Sequence, residues 1–212
     1  MRITIFGASG QVGSRTVTEA LDRGHHVTAV LRSPARAGEI PGDAEVRIGD
    51  AADLEDVVDL TGGQDLVISA TRPAAGREGE LITTTANLMT GTARTGTRLL
   101  LVGGAATLTV PGAGGVTVMD EPGFPESLLH IARACADQLE VCRAAAHRDW
   151  TYLSPPAQLH AGVRTGRYRL GRDTLVTDRL GVSALSYEDL AVVLLDEAER
   201  PAHRGIRFTA AY

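Results

Sequence analysis

Arg2-Ile3-Thr4-Ile5-Phe6-Gly7-Ala8-Ser9-Gly10-Gln11-Val12-Gly13 is the stretch whose reading decides the fold. Its first five residues have the apolar, β-branched and aromatic character of a buried strand. Beyond it, Val17, Ala20 and Leu21 recur at helical spacing, so Ser14 to Arg23 reads as a helix. A glycine loop between a strand and a helix permits a tight turn and leaves the first N–H groups and positive dipole end of the helix free for a pyrophosphate. The spacing is G-x-x-G-x-x-G and not the G-x-G-x-x-G of the usual dinucleotide fingerprint. Gly7, Gly10 and Gly13, with Ser9, Gln11 and Val12 between them, are expected to line a phosphate cradle. A tight β–α turn that binds nothing is the alternative.

Composition narrows the class. A chain of 212 residues, 43% hydrophobic and 22% charged, has the make-up of an ordinary water-soluble fold of one or two domains. A net charge of −5 argues against nucleic acid or an anionic membrane as partner. All 21 basic residues are arginine; the chain has no lysine. Cys135 and Cys142, seven apart on one expected helix, share a face and read as core residues, with no redox pair and no metal site implied. No apolar run approaches the ~18 residues of a membrane span, the first strand leaves no room for a signal peptide, and a cytoplasmic setting is expected.

Further strands are expected at Val27–Leu31, Glu45–Ile48, Leu66–Ala70, Arg98–Val102, Trp150–Leu153 and Ile206–Thr209, alternating with helices near 54–60, 80–94, 125–143 and 187–197. That alternation, with no linker or repeat, predicts one domain over 1–212: a Rossmann-like, doubly wound parallel α/β sheet with helices on both faces and a small C-terminal extension. In such a sheet the end of the second strand meets the adenosine ribose. Here it reads Leu31-Arg32-Ser33, with no acid before Glu39, and an arginine suits a 2′-phosphate, so NADP(H) is preferred over NAD(H). Arg15 either assists or is a solvated helix residue. Asp50 either accepts from the adenine amine or caps the following helix. Ala70, Thr71 and Arg72, at the end of the fourth strand, fall beside the nicotinamide ribose. Gly103 and Gly104 invite close approach of a ligand or mark a bulge. Residues 107–119 read as a flap or hairpin, and 164–177 as a hairpin-like insertion about Gly171. The latter is left to pack on the acceptor site or on a second subunit, so a homodimer stays open.

Several of these motifs are familiar as a set: Gly7-Ala8-Ser9-Gly10-x-x-Gly13-Ser14-Arg15, Gly24-His25-x-Val27-Thr28-Ala29-Val30-x-Arg32, Leu101-Val102-Gly103-Gly104-Ala105, Trp150-Thr151-Tyr152-Leu153-Ser154-Pro155 and Ser186-Tyr187-Glu188-Asp189. End to end, the chain resembles the NAD(P)H-binding family of atypical short-chain dehydrogenase/reductases, a group that includes candidate NADH-flavin reductases, with the NmrA-like proteins and biliverdin reductase B among its relatives. The resemblance implies that Gly7, Gly10 and Gly13 line the pyrophosphate and Arg32 the 2′-phosphate. It further implies that Asp50 and Ala51 border the adenine and that Ser154 and Pro155 lie near the nicotinamide. Two departures stand out. The family's Gly-Gly-Ala-Gly-Ser-Leu reads Gly-Gly-Ala-Ala-Thr-Leu here, and its Tyr-Lys after Phe-Pro is replaced by Leu128 and Leu129.

Chemistry at the far end of the cofactor is constrained by what is missing. Ordinary short-chain dehydrogenases protonate a developing alkoxide with a Tyr-x-x-x-Lys pair, which a lysine-free chain cannot build. Hydride transfer to an oxidised flavin asks for less, because the anion formed is stabilised and water can protonate it. The expected function is an NADPH-dependent reductase of a flavin-like or other conjugated small-molecule acceptor. Acceptor-site elements are expected from 107–125 and 154–180. Thr107 and Tyr152 are the hydroxyls to test first, although for Tyr152 a buried structural aromatic with a satisfied hydroxyl is the favoured reading. The rivals are a tailoring reductase or isomerase on one specialised metabolite and a non-catalytic NADP(H) sensor.

Overall fold

The computed structural model describes residues 1–212. Strand β1 (Arg2–Phe6) is almost wholly buried and pairs in parallel with β2 (His26–Leu31) on one side and β4 (Leu66–Ser69) on the other. Beyond β2 lies β3 (Glu45–Ile48); beyond β4 come β5 (Arg98–Val102), β6 (Trp150–Ser154) and β10 (Ile206–Ala211), all parallel. The order is β3-β2-β1-β4-β5-β6-β10-β8, closed at one edge by the antiparallel β8 (Arg169–Gly171). Helices α1 (Gln11–Asp22) and α5 (Tyr187–Glu199) pack together on one face, while α2 (Leu54–Thr61), α3 (Glu80–Thr95) and α4 (Leu129–Ala144) cover the other. Alternation along β1 sorts its side chains accordingly. Ile3 and Ile5 join the α1/α5 core with Leu66, Ile68, Phe208 and Leu194, and Phe6 joins the opposite core with Val67, Leu99, Trp150 and Tyr152. This is the doubly wound Rossmann-like α/β fold.

Four local expectations change. Helix α1 begins at Gln11, inside the glycine motif, so Gly13 is already helical. Asp53 caps α2, accepting from the Glu55 and Asp56 amides, and leaves Asp50 outside the helix. The insertion about Gly171 is no self-paired hairpin: Leu170 and Gly171 pair with Ala210 and Thr209 of β10, extending the main sheet. Its flanks form a second small sheet, β7 (Gln158–His160) with β9 (Ala184–Ser186). Finally, Cys142 is buried core as expected, but Cys135 is only half-buried.

The return from β7 to β8 is fastened to α5 by one carboxylate. Asp189, fully buried, accepts from the Thr165 and Gly166 amides at 2.8 Å each, from the Thr165 hydroxyl at 2.6 Å and from the Tyr212 hydroxyl at 2.7 Å. Burial, the largest single influence, pushes its pKa up, but these donors together outweigh it and hold it below the usual value. A depressed folded pKa means that this stabilisation is present above the unfolded pKa and is lost as pH falls through the folded one. Asp189→Asn is therefore expected to lower stability by about 2 kcal/mol at neutral pH. In denaturant titrations the deficit should shrink below the ordinary carboxylate range; a deficit unchanged down to acid pH would refute the assignment.

Candidate functional site

In a parallel sheet, ligands sit beyond the carboxyl ends of the strands where the winding reverses. That point lies between β1 and β4, and a cleft of about 910 Å³ opens there. Its floor is the glycine turn. Gly7 has φ +77°, and a Cβ on it would come within 2.6 Å of the Ala70 carbonyl oxygen. A Cβ on Gly13 would lie 2.0 Å from the Gly7 carbonyl oxygen. The close packing of β1, β4 and α1 thus rests on these two residues. Gly10 is the N-cap of α1 and has no side chain to close the helix end, whereas Asp53 and Ser186 cap α2 and α5. The first α1 amides therefore open into the cleft, as a pyrophosphate requires.

Most residues expected at the cofactor do line this cleft: Gly7, Ser9, Gly10, Gln11, Val12, Arg32, Asp50, Ala51, Ala70, Thr71, Arg72, Gly104 and Pro155. Arg32 is exposed and engaged in no ion pair or side-chain hydrogen bond. Asp50 stands at the end of β3; its Oδ1 accepts from the Ala52 amide at 2.9 Å, and Asn87 of α3 steadies the same turn through the Ala52 carbonyl. Arg72 also carries no carboxylate partner. Arg15 stands apart, in a smaller polar hollow beside the loop, bonded to Glu188 at 3.1 Å and Gln11 at 2.8 Å and lying over the Tyr187 ring.

Other candidates are placed elsewhere, two of them, Tyr152 and Ser154, by alternation along β6. Gly13 packs beneath the loop instead of lining the cleft, and Ser33 caps the short 3-10 turn Pro34–Glu39 by accepting from the Ala35 amide. Ser154 points with Tyr152 toward the α4 side of the sheet, fully buried, beside its register partner Thr209; neither hydroxyl has a hydrogen-bond partner. Neither catalytic candidate lines the cleft. Tyr152 is buried with its Oη 3.0 Å from both the Cys135 carbonyl and Gln138 Oε1, and the Gly104 amide donates to it at 3.3 Å. Burial drives its pKa well above the ordinary phenol value, which keeps the proton on. Thr107 accepts at 2.7 Å from Arg207, whose guanidinium is clamped to Asp173.

Tyr152 also accounts for the glycine pair at the end of β5. A Cβ on Gly103 would lie 1.9 Å from the Tyr152 Oη, and one on Gly104 would lie 2.9 Å from the Cys135 Sγ. The pair makes room for the protein's own side chains, and both glycines also line the cleft.

Arg36, Ile131 and Ala132, not singled out from sequence, complete the site with Pro155 and the expected 107–125 element. Arg36, one short turn beyond Arg32, reaches back to Ser9; a second arginine four residues after the first was the available signal. Past the β4 end, Phe124, Leu128, Ile131, Ala132, Pro155 and Pro156 form an apolar outer compartment that α4 and the loop before it bring to the β6 terminus. Cys135 lies at its floor, its thiol pushed up to about 11 by burial. No cluster of three or more histidine, cysteine, aspartate or glutamate side chains is placed to hold a metal ion, and no helix is long and apolar enough to cross a membrane.

Strand order, crevice and glycine turn together define a dinucleotide-binding α/β protein of Rossmann type. The chain belongs to the NAD(P)H-binding family, whose model matches residues 7–201, and its cofactor is a nicotinamide dinucleotide. It is 37% identical to the uncharacterized protein YwnB of Bacillus subtilis, over 99% of this chain and 97% of that one. Among solved structures it is similar to a candidate NADH-flavin reductase, SP1627 of Streptococcus pneumoniae TIGR4, at 32% identity and TM-score 0.90, covering 100% of this chain and 99% of the other. A candidate epimerase from Bacteroides thetaiotaomicron gives 38% identity and TM-score 0.90, covering 100% and 96%.

Proposed function

We propose that the protein is an NADPH-dependent reductase that passes hydride to a flat, conjugated, flavin-like acceptor held in the outer compartment of the cleft. One observation carries the reading. The polar, arginine-bearing dinucleotide end runs without interruption into an apolar compartment, and the Phe124, Leu128, Ile131, Ala132, Pro155 and Pro156 side chains that form it have no acidic proton to give. The bound dinucleotide supplies the hydride from its reduced nicotinamide ring. The chain's own contribution is placement. The α1 amides and Arg32 anchor the phosphates, the Ala70–Arg72 strand end supports the second ribose, and Phe124, Ile131 and Pro155 press an aromatic ring system against the first ring. The Cys135 thiol is held too high to act as an acid at neutral pH, and Tyr152 is sealed behind Gly103 and Gly104. A ketone, which needs a proton as its alkoxide develops, is poorly served by this site; an acceptor whose reduced anion is stabilised and protonated by water is well served.

The description of SP1627 as a candidate flavin reductase supports this choice of acceptor. The proposal places the protein in the cytoplasm, where reduced nicotinamide dinucleotides are supplied. The test is NADPH oxidation, followed at the nicotinamide absorbance, over a panel of free flavins, quinones and simple ketones. Flavins or quinones are expected to turn over at least tenfold faster than any ketone. Equal rates across the panel, or none, would overturn the reading.

A further inference from the structure

Dinucleotide sites without a 2′-phosphate commonly place an acid at the end of the second strand. Here that end is Arg32, and the first acid after it is Glu39. The 3-10 turn Pro34–Glu39 brings this distant acid back over the phosphate loop. Arg36 Nη1 donates to the Ser9 Oγ at 3.2 Å, while its Nε and Nη2 donate to the two Glu39 oxygens at 2.8 and 2.5 Å. That is a complete two-pronged fork, the same geometry with which an arginine clasps a phosphate. The pair forms one wall of a hollow of about 260 Å³ at the start of α1, with Gln11, Ser14 and Arg15 opposite and no apolar residue in its lining. Arg15 is committed to Glu188 and Gln11, so a new anion in this hollow would look to the Arg36 fork, which Glu39 already holds.

We propose that Glu39 is the cofactor-discriminating residue: a built-in carboxylate that occupies the Arg36 fork and sets how far NADPH is favoured over NADH. This rests on the dinucleotide reading above, with the adenosine ribose at the β2 end. A ribose 2′-hydroxyl donates to the free lone pairs of Glu39 without disturbing the fork. A 2′-phosphate brings about two negative charges beside that carboxylate, and it gains the Nε/Nη2 fork of Arg36 only when Glu39 lets go. The fork is thus closed for one dinucleotide and open for the other. Arg32, free of any partner, supplies the attraction that Glu39 does not oppose directly, so the net preference for NADPH is small.

The experiment is equilibrium titration of the full-length protein with NADPH and with NADH, comparing wild type, Glu39→Gln and Glu39→Ala. The pair is exposed on a short turn, so both variants are expected to melt within a few degrees of wild type. Glu39→Gln should tighten NADPH at least fivefold and weaken NADH about twofold, changing the ratio of dissociation constants by about tenfold. Glu39→Ala should tighten NADPH similarly. A ratio that moves less than twofold in both variants overturns the role given to Glu39 while leaving the dinucleotide reading intact. Failure of wild type to bind either dinucleotide at millimolar concentration overturns both.

Discussion

Glu197→Ala is expected to cost about 3–5 kcal/mol of folding stability, the range for stripping one partner from a buried ion pair. Arg98 opens β5 and Glu197 lies in the last turn of α5, away from the cleft, with side chains 6% and 3% exposed. Arg98 Nη2 donates to Glu197 Oε1 at 2.6 Å and to the Thr151 hydroxyl at 3.2 Å, and Nη1 donates to the Glu197 carbonyl at 3.0 Å. The carboxylate further accepts from the Ala202 and His203 amides and lies 2.7 Å from His203 Nδ1, whose ring stacks on Phe208 at 4.3 Å. One carboxylate therefore neutralises the guanidinium, joins α5 to β5 and shapes the turn into β10. Burial already pulls the Arg98 pKa down, and Glu197 is the stronger of the two carboxylates, with Asp149, that oppose it. Alanine leaves that guanidinium buried, uncompensated and partly unbonded.

Two companions separate charge from shape. Glu197→Gln keeps acceptor capacity toward the two amides and is expected to lose less than alanine. Arg98→Met combined with Glu197→Gln removes the stranded charge and should recover part of the Ala loss, since apolar replacements of buried pairs are often tolerated. Chemical denaturation measures all three. A cost below 1 kcal/mol for Glu197→Ala would show that water reaches the pair.

What the sequence reveals here tracks how locally each feature is encoded. Strands β2, β4 and β5 are near-continuous apolar runs because helices cover both faces of the sheet there, and they are readable for that reason; the exposed edge strand β3, Glu-Val-Arg-Ile, is legible only by its place in the alternation. The three-residue strands β7, β8 and β9 carry too little pattern; their pairing depends on where the turn about Gly171 meets β10. The same contrast holds at the site. Gly7, Gly10, Arg32 and Asp50 sit at strand ends, so chain position alone puts them at the crevice. Arg36 and Glu39 act by reaching back from a turn whose path the sequence does not announce. Thr107 and Ser154 are adjacent in sequence to residues of the cleft, but Thr107 is turned toward Arg207 and strand alternation sends Ser154 into the sheet interior. The outer compartment needs α4, the 118–128 loop and the β6 end together, a juxtaposition that exists only after folding.

Gly10→Ala and Gly13→Ala should separate binding from folding, although both residues belong to one motif. Gly13 is inside α1 and buried, and its would-be Cβ lies 2.0 Å from the Gly7 carbonyl oxygen, a backbone atom with nowhere to go. Accommodating it means prying α1 from β1, and overpacking of that severity is expected to cost about 3 kcal/mol or more. Binding then falls because the loop itself is displaced. At Gly10 the backbone has φ −77° and ψ 172°, open to any residue, and a Cβ would stand 3.2 Å from the Gly7 oxygen. A shift of a few tenths of an ångström relieves that contact, so the melting temperature should change by only a few degrees. The added methyl nevertheless projects where a pyrophosphate must approach the α1 amides, so NADPH and NADH should both weaken by about tenfold or more, roughly 1.4 kcal/mol. Thermal melts and dinucleotide titrations on the two variants decide the matter. If Gly10→Ala bound both dinucleotides like wild type, the phosphates would have to lie away from the helix end. If Gly13→Ala melted like wild type, the tight β1–α1 junction would not be the element on which this fold depends.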